Sequence, residues 1–367
     1  MADPRVERLA SVLVRYSTNV QPGEHIAVRG TPEAAPLILA VHEEILKAGG
    51  HPEVLVDLTG IEEAFFRLAS DEQLKAISPV RKLITEAFDS IISIRSDQNT
   101  RELSGISPAR QRLRRKALMP LMKAQMERGA SGALKWCVTL YPTASYAQEA
   151  DMSLRDYEHF VYSACFCDQE DPVARWNEVH AMQQRMVDWL VGKKAVRVCG
   201  PNADLTLSIE GRTFLNSDGH HNMPSGEIYT GPVEDSAEGW VRFTYPAVTS
   251  GLEVEGIELH FEKGRVVEAT AEKNQDFLLE MLETDPGARY LGEFAIGTND
   301  GIQRFTKNIL FDEKIGGSFH MAVGAGYPET GSKNESAIHW DMICDMRDGG
   351  EIYIDDELFY KNGAFVV

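Results

Sequence analysis

The chain has 367 residues, 43% hydrophobic and 25% charged, with a formal net charge of −19. Its length exceeds the ~250–300 residues at which single cores stop growing, so two domains are expected. The negative charge opposes a polyanionic phosphate backbone, which argues against nucleic acid as a partner, and no apolar run reaches membrane-spanning length.

The first segment, MADPRVERLASVLVRYS, carries charges throughout and lacks the apolar core of a secretory signal. Asp3 followed by Pro4 fits an N-cap and first helical turn, and Val6, Leu9, Leu13 and Val14 then recur at helical spacing as one buried stripe. PGEHIAVRG, the helical run ending at Gly49-Gly50, and HPEVLVDL read as strand, helix and strand, a βαβ unit. FDSIISIRS and LKWCVTLYP supply further strands. Between them Ser107-Pro108 opens a helix whose start is crowded with Arg and Lys, the pattern of a solvated face. These elements predict a layered α/β domain with a mainly parallel sheet over residues 1–190, closing with helices through WNEVHAMQQRMVDWLVG.

From Lys193 the pattern shifts to short alternating runs separated by Gly, Asn and Asp: KAVRVCG, ADLTLSIEG, GWVRFTYPAV and GEIYIDDELF, with a hairpin expected at Lys263-Gly264. Residues 191–367 are therefore expected to form a strand-rich α+β domain. The five cysteines (Cys137, Cys165, Cys167, Cys199, Cys344) are scattered and show no CxxC spacing, which argues against a disulfide framework or a cysteine zinc site. A reduced, cytoplasmic setting is the expectation.

Several chemical signatures fail on inspection. His42-Glu43 lacks the second histidine one turn later, where Leu46 stands; Gly326 and Gly331 have phosphate-loop spacing, but Ser332-Lys333 reverses the required order; and there is no serine framed as a nucleophile elbow. The informative residues lie late in the chain. In SAIHWDMICDM, strand alternation puts His339, Asp341 and Ile343 on one face and Trp340, Met342 and Cys344 on the other. His320 sits in a strand before a Gly-rich turn and Tyr327, while Glu227 and Glu293 each follow a glycine at the start of a strand. Two imidazoles and three carboxylates offer donors for one or two divalent ions. Taken singly, His339 and Asp341 fit a buried hydrogen-bonded pair equally well, Glu227 and Glu293 fit surface carboxylates, and Tyr327 fits a packing ring.

Four blocks, NMPSGEIYTGPVEDSAEGWVRFTYP, ARYLGEFAIGTN, ILFDEKIGGSFHMAVGAGYPETG and NESAIHWDMI, occur in an order that resembles the M29 family of metallo-aminopeptidases, the thermophilic aminopeptidase T group. The resemblance runs over essentially the whole chain. It implies a hydrolase that removes N-terminal residues from small peptides, using two divalent ions (zinc, cobalt or manganese) held by Glu227, Glu293, His320, Tyr327, His339 and Asp341. Glu293 and Tyr327 would also act in catalysis, and the enzyme would be a homodimer. Trp340 and the short segment between Tyr327 and His339 depart from the family pattern and are expected to border the substrate. The superfamily also resembles mononuclear iron dioxygenases that open dihydroxypyridine rings with two histidines and an aspartate, the alternative reading; a non-catalytic metal-binding protein is the third. Glu227 and Glu293 favour the hydrolase, because a single-iron site does not need them.

Overall fold

The structure, a computed structural model, describes residues 3–249 and 251–367. It divides into two compact units: one runs to Trp176 and takes in Gly219–Pro224, and the other comprises Asn177–Asp218 and Ser225–Val367. Among the described residues no helix is long and apolar enough to cross a membrane.

The first unit is built on a parallel sheet. Its strands, in spatial order, are His51–Val56, His25–Gly30, Ser90–Arg95, Lys135–Leu140 and the short Asn222–Met223. Four of these lie where period and turn residues predict them; the fifth arrives from far along the chain, a pairing that no local pattern announces. Helix Pro4–Ser11 starts as expected, with the Asp3 carboxylate accepting from Arg5 N at 3.0 Å, and it buries Val6 and Leu9. The basic helix Pro108–Ala130 buries no residue, yet its arginines are not merely solvated. Arg110 donates to Phe66 O at 2.7 Å, Arg114 to Leu74 O at 3.0 Å, and Arg128 to Thr85 O and Phe88 O at 2.7 and 2.9 Å. They satisfy carbonyls left open at the ends of neighbouring short helices, which is a structural use of the charge.

The second unit holds two larger antiparallel sheets. The eight-stranded one runs Arg265–Thr270, Glu258–Glu262, Glu238–Arg242, Ala203–Ser208, Ala195–Gly200, Glu351–Ile354, Glu357–Lys361, Ala364–Phe365. The predicted hairpin forms at Lys263-Gly264, both in the left-handed region. The five-stranded sheet runs His339–Asp345, Ser318–Gly324, Leu291–Gly297, Glu227–Thr230, Leu215–Ser217. One face of this sheet contributes Ile228, Phe294, Ile296, Phe319, Met321, Val323, Trp340, Met342 and Cys344 to the unit's core. Burying that face fixes register, because a slip of one residue would turn every apolar side chain outward.

Candidate metal centre

The opposite face of the five-stranded sheet carries the donors. Across neighbouring strands Gly297 pairs with Glu227, Ala295 with His320, Glu293 with Ala322, Ala322 with Asp341, and Gly324 with His339. Directly paired residues point the same way, so Glu227, Glu293, His320, His339 and Asp341 share one face. Ala295, Gly297, Ala322 and Gly324 stand between them, so at those positions the sheet puts no large side chain among the donors. The ligand atoms of Glu293, His339 and Asp341 lie within 4.8 Å of one another, and so do those of Glu313, His320 and Asp341. Asp341 belongs to both groups.

Two glycines aim the glutamates. A Cβ on Gly226, at φ +121°, would stand 2.7 Å from Asn299 Cβ; one on Gly292 would stand 2.2 Å from Ala325 O. Gly292 also marks a bulge, where the pairing of Leu291–Gly297 with Ser318–Gly324 shifts between Leu291 and Glu293. Such an extra residue bends a strand and re-aims its next side chain, here Glu293. The Glu227 end is held differently. The buried amide of Gln183 donates to Glu227 O at 2.8 Å, Ser217 O at 3.1 Å and Asn216 Oδ1 at 2.7 Å, and its oxygen accepts from Thr298 Oγ1 at 3.0 Å.

The contacts define the electrostatics. His339 Nε2 lies 3.2 Å from Glu293 Oε2 and 3.4 Å from Asp341 Oδ1; His320 Nε2 lies 3.4 Å from Glu227 Oε2 and 3.8 Å from Glu293 Oε1. His339 Nδ1 contacts Ala325 O at 2.7 Å. A carbonyl can only accept, so this bond puts a proton on Nδ1 and turns Nε2 toward the carboxylates, as the atom that would ligate a metal. Burial opposes charge on both imidazoles, but the surrounding carboxylates outweigh it and push His320 up to about 9 and His339 up to about 12. Burial likewise disfavours an ionised Asp341, yet His339 beside it holds it down to about 2.

These features fit a divalent cation. Glu227 Oε2, His320 Nδ1 and Asp341 Oδ1 are buried without a hydrogen-bond partner. Carboxylates crowded into a buried space need compensating positive charge, because desolvating them unpaired is costly. The donor set of imidazole nitrogen and carboxylate oxygen suits zinc, manganese or cobalt.

Tyr327 caps the short helix Pro328–Thr330 at the rim and is 37% exposed, its ring 5.1 Å from His339 and 5.4 Å from Tyr229. Desolvation, then the charges of Glu293 and Asp341, hold its phenol well above the usual range, so it keeps its proton at neutral pH. Trp340 does not border the site: it is buried on the opposite face, 6.0 Å from the Phe277 ring, so its bulk is a packing matter. The sequence reading missed four neighbours. Glu313 and Lys314 immediately precede the IGG block, and burial pushes Glu313 up to about 7. Tyr229 was accessible by period two from Glu227. Gln183 lies in a helix distant in sequence, and no local signal marks it.

A family model described as thermophilic metalloprotease (M29) matches residues 2–365. The chain belongs to this family. As a metallopeptidase of that family it uses divalent metal. It is 26% identical to aminopeptidase T of Thermus thermophilus over 98% of this chain and 95% of that one. It is 28% identical to aminopeptidase PepS of Streptococcus thermophilus (99% and 98%) and 26% identical to aminopeptidase 2 of Geobacillus stearothermophilus (94% and 93%). The solved structure of wild-type AmpT from Thermus thermophilus superposes with a TM-score of 0.85 at 24% identity over 99% of both chains. A 2,5-dihydroxypyridine dioxygenase from Pseudomonas putida shares the fold, with a TM-score of 0.55 at 15% identity over 99% of this chain and 96% of that one. These likenesses confirm the expected mixed α/β architecture, with a parallel sheet followed by antiparallel ones.

Proposed function

We propose that this metallo-aminopeptidase hydrolyses the first peptide bond of small peptides at the five-stranded sheet, with two divalent ions and the catalytic machinery in the strand-rich C-terminal half. The observation that carries the reading is the buried convergence of Glu293, His339 and Asp341, adjoining His320 and Glu227, with Glu227 Oε2, His320 Nδ1 and Asp341 Oδ1 making no hydrogen bond. Glu293, His339 and Asp341 would hold one ion, and His320 with Glu227 and the shared Asp341 the other; zinc, cobalt and manganese all suit the donors. Ions so held supply a Lewis acid for the scissile carbonyl and a water acidified toward ~7.

The chain's own groups do the rest. A carboxylate oxygen of the site can accept from the amine of a free N-terminus, which orients the first residue. Glu293, buried yet held in its charged form by His320 and His339, can accept a proton from the attacking water and return it to the leaving amine. Tyr327, protonated at neutral pH, can donate to the oxygen that gains charge, a role worth about 2.7–4 kcal/mol where such a donor has been removed. Beside Asp341, the side chains of Val248, Phe305, Ile309 and Ile343, with the charged Lys307 and Asp312, line a recess of about 10 Å³, room for one water, so an apolar first residue would rest across its mouth and not inside it. The single-iron dioxygenase reading is not favoured: it would leave Glu227 and Glu293 buried on the donor face without a role.

Two further features belong to this reading. The five cysteines are scattered without CxxC spacing, which is the basis for reading a reducing, cytoplasmic setting. A homodimer agrees with the open edge strand His51–Val56, where Val54 and Val56 are exposed; light scattering checks it. The deciding assay compares leucine p-nitroanilide and leucyl peptides with their N-acetylated forms, without oxygen, after loading with zinc, cobalt or manganese. Cleavage confined to unblocked substrates is expected. No cleavage, together with iron- and oxygen-dependent consumption of 2,5-dihydroxypyridine, would overturn the reading.

A further inference from the structure

Lys314 is fully buried, in the middle of the anionic site. It gets there because Gly297 has no side chain: a Cβ at that position would stand 2.3 Å from Ile315 O, so the segment at Lys314 and Ile315 can lie against the end of strand Leu291–Gly297. Gly297 pairs with Glu227, so the lysine enters beside that glutamate. Its Nζ is 3.6 Å from Glu227 Oε1 and in close contact with Glu313 Oε1. The other oxygen of Glu227, Oε2, has no hydrogen-bond partner and lies 3.4 Å from His320 Nε2. Glu313 is equally within reach of His320 and Asp341. Two carboxylates thus compete for the ion beside His320, and one ammonium touches both.

We infer that Lys314 is a positioning residue that sorts these carboxylates: it takes Glu313 as its counter-ion and draws one oxygen of Glu227, so that the other oxygen of Glu227 serves the ion beside His320. An ammonium in direct contact with Glu313 makes that carboxylate a poor ligand for a second cation, because its charge is already compensated and the two cations would repel. At Glu227 the lysine acts as an outer partner of the kind that orients ligating carboxylates, whose loss commonly costs about 10–100-fold in metal affinity. The inference rests on the two-ion reading above.

The test is cobalt binding, read by elemental analysis after equilibrium dialysis and by the visible absorption of the bound ions. Wild type is expected to bind two ions. Glu227→Gln should lose the ion beside His320, its affinity falling by about 100-fold. Adding Lys314→Met to Glu227→Gln should recover that ion by releasing Glu313 as a ligand. Lys314→Met combined with Glu313→Gln removes the pair without changing net charge; it should still take two ions at saturating cobalt, the affinity of the ion beside His320 falling only about 10-fold, and should keep the wild-type far-ultraviolet circular dichroism. Retention of both ions by Glu227→Gln, or loss of one by the Lys314→Met, Glu313→Gln double variant, would make Glu313 the ligand and overturn the proposal. So would failure of Lys314→Met to restore binding in the Glu227→Gln background. A wild type that binds one ion would instead defeat the two-ion reading on which the sorting depends.

Discussion

Gly292 shows how the backbone controls the chemistry. Its φ is not in the left-handed region, so an alanine there suffers no conformational penalty; the obstacle is space. The added Cβ would lie 2.2 Å from Ala325 O and 2.5 Å from Gly324 O, and both are backbone atoms that cannot swing aside. Overpacking of this kind costs about 1–3 kcal/mol, occasionally more. For a unit of this size that lowers the melting temperature by roughly 2–4 °C per kcal/mol, hence about 4–8 °C for a 2 kcal/mol loss. Function should fall further than stability, because Ala325 O also accepts the Nδ1 proton of His339 and Gly292 precedes Glu293. Pushing that carbonyl away disturbs two donors of one ion, so metal affinity and kcat/KM should each drop by about 10–100-fold. Gly129→Ala is the control: it lies in helix Pro108–Ala130, its nearest neighbour would be 3.6 Å away, and a gain of about 0.5–1 kcal/mol is expected. Calorimetry and metal titration on both variants decide. A Gly292→Ala protein that melts and binds metal as wild type does would refute the steric argument.

Three further outcomes are expected. His339→Ala should abolish turnover and the stabilisation that added metal gives, while the metal-free protein melts no lower than metal-free wild type, because the ring faces the donors and not the core; unfolding of the metal-free variant would show a packing role instead. Burial opposes the charge on Asp285, but bonds from Ala337 N at 2.6 Å, Ser336 Oγ, Gly287 N and Ala288 N hold it below its ordinary value of 3.8. A depressed carboxylate stabilises the fold above its unfolded value and loses that contribution as pH falls through the folded one, so the stability gap between wild type and Asp285→Asn should be full at neutral pH and shrink below about pH 4 in urea melts. Phe305→Ala should raise KM for leucyl and phenylalanyl substrates by roughly 10-fold while leaving alanyl substrates little changed, since a lost apolar contact is worth ~1–3 kcal/mol; an equal effect on all three would remove the recess from specificity.

The linear sequence carried the local order of this protein. Period-two alternation at His339 to Cys344 separated donor face from core face, because a strand's pleat assigns alternate residues to opposite sides whatever the strand pairs with. Turn residues and helical spacing likewise located the strands of the parallel sheet, and the four blocks that resemble M29 peptidases named six donors. What the sequence left undetermined is what depends on pairing between distant segments. Strand Asn222–Met223 joins a sheet whose other members end by Leu140. Trp340, expected beside the substrate from its departure from the family pattern, lies instead on the core face that the alternation assigned to it. Lys314 reads in sequence as one more charged surface residue next to Glu313. It is buried because Gly297 on another strand leaves room for its backbone, and it is tolerated there because Glu227 and Glu313 meet its ammonium. Whether a charge is solvated or drives a site is set by the groups that surround it in space, and only the tertiary structure brings those groups together.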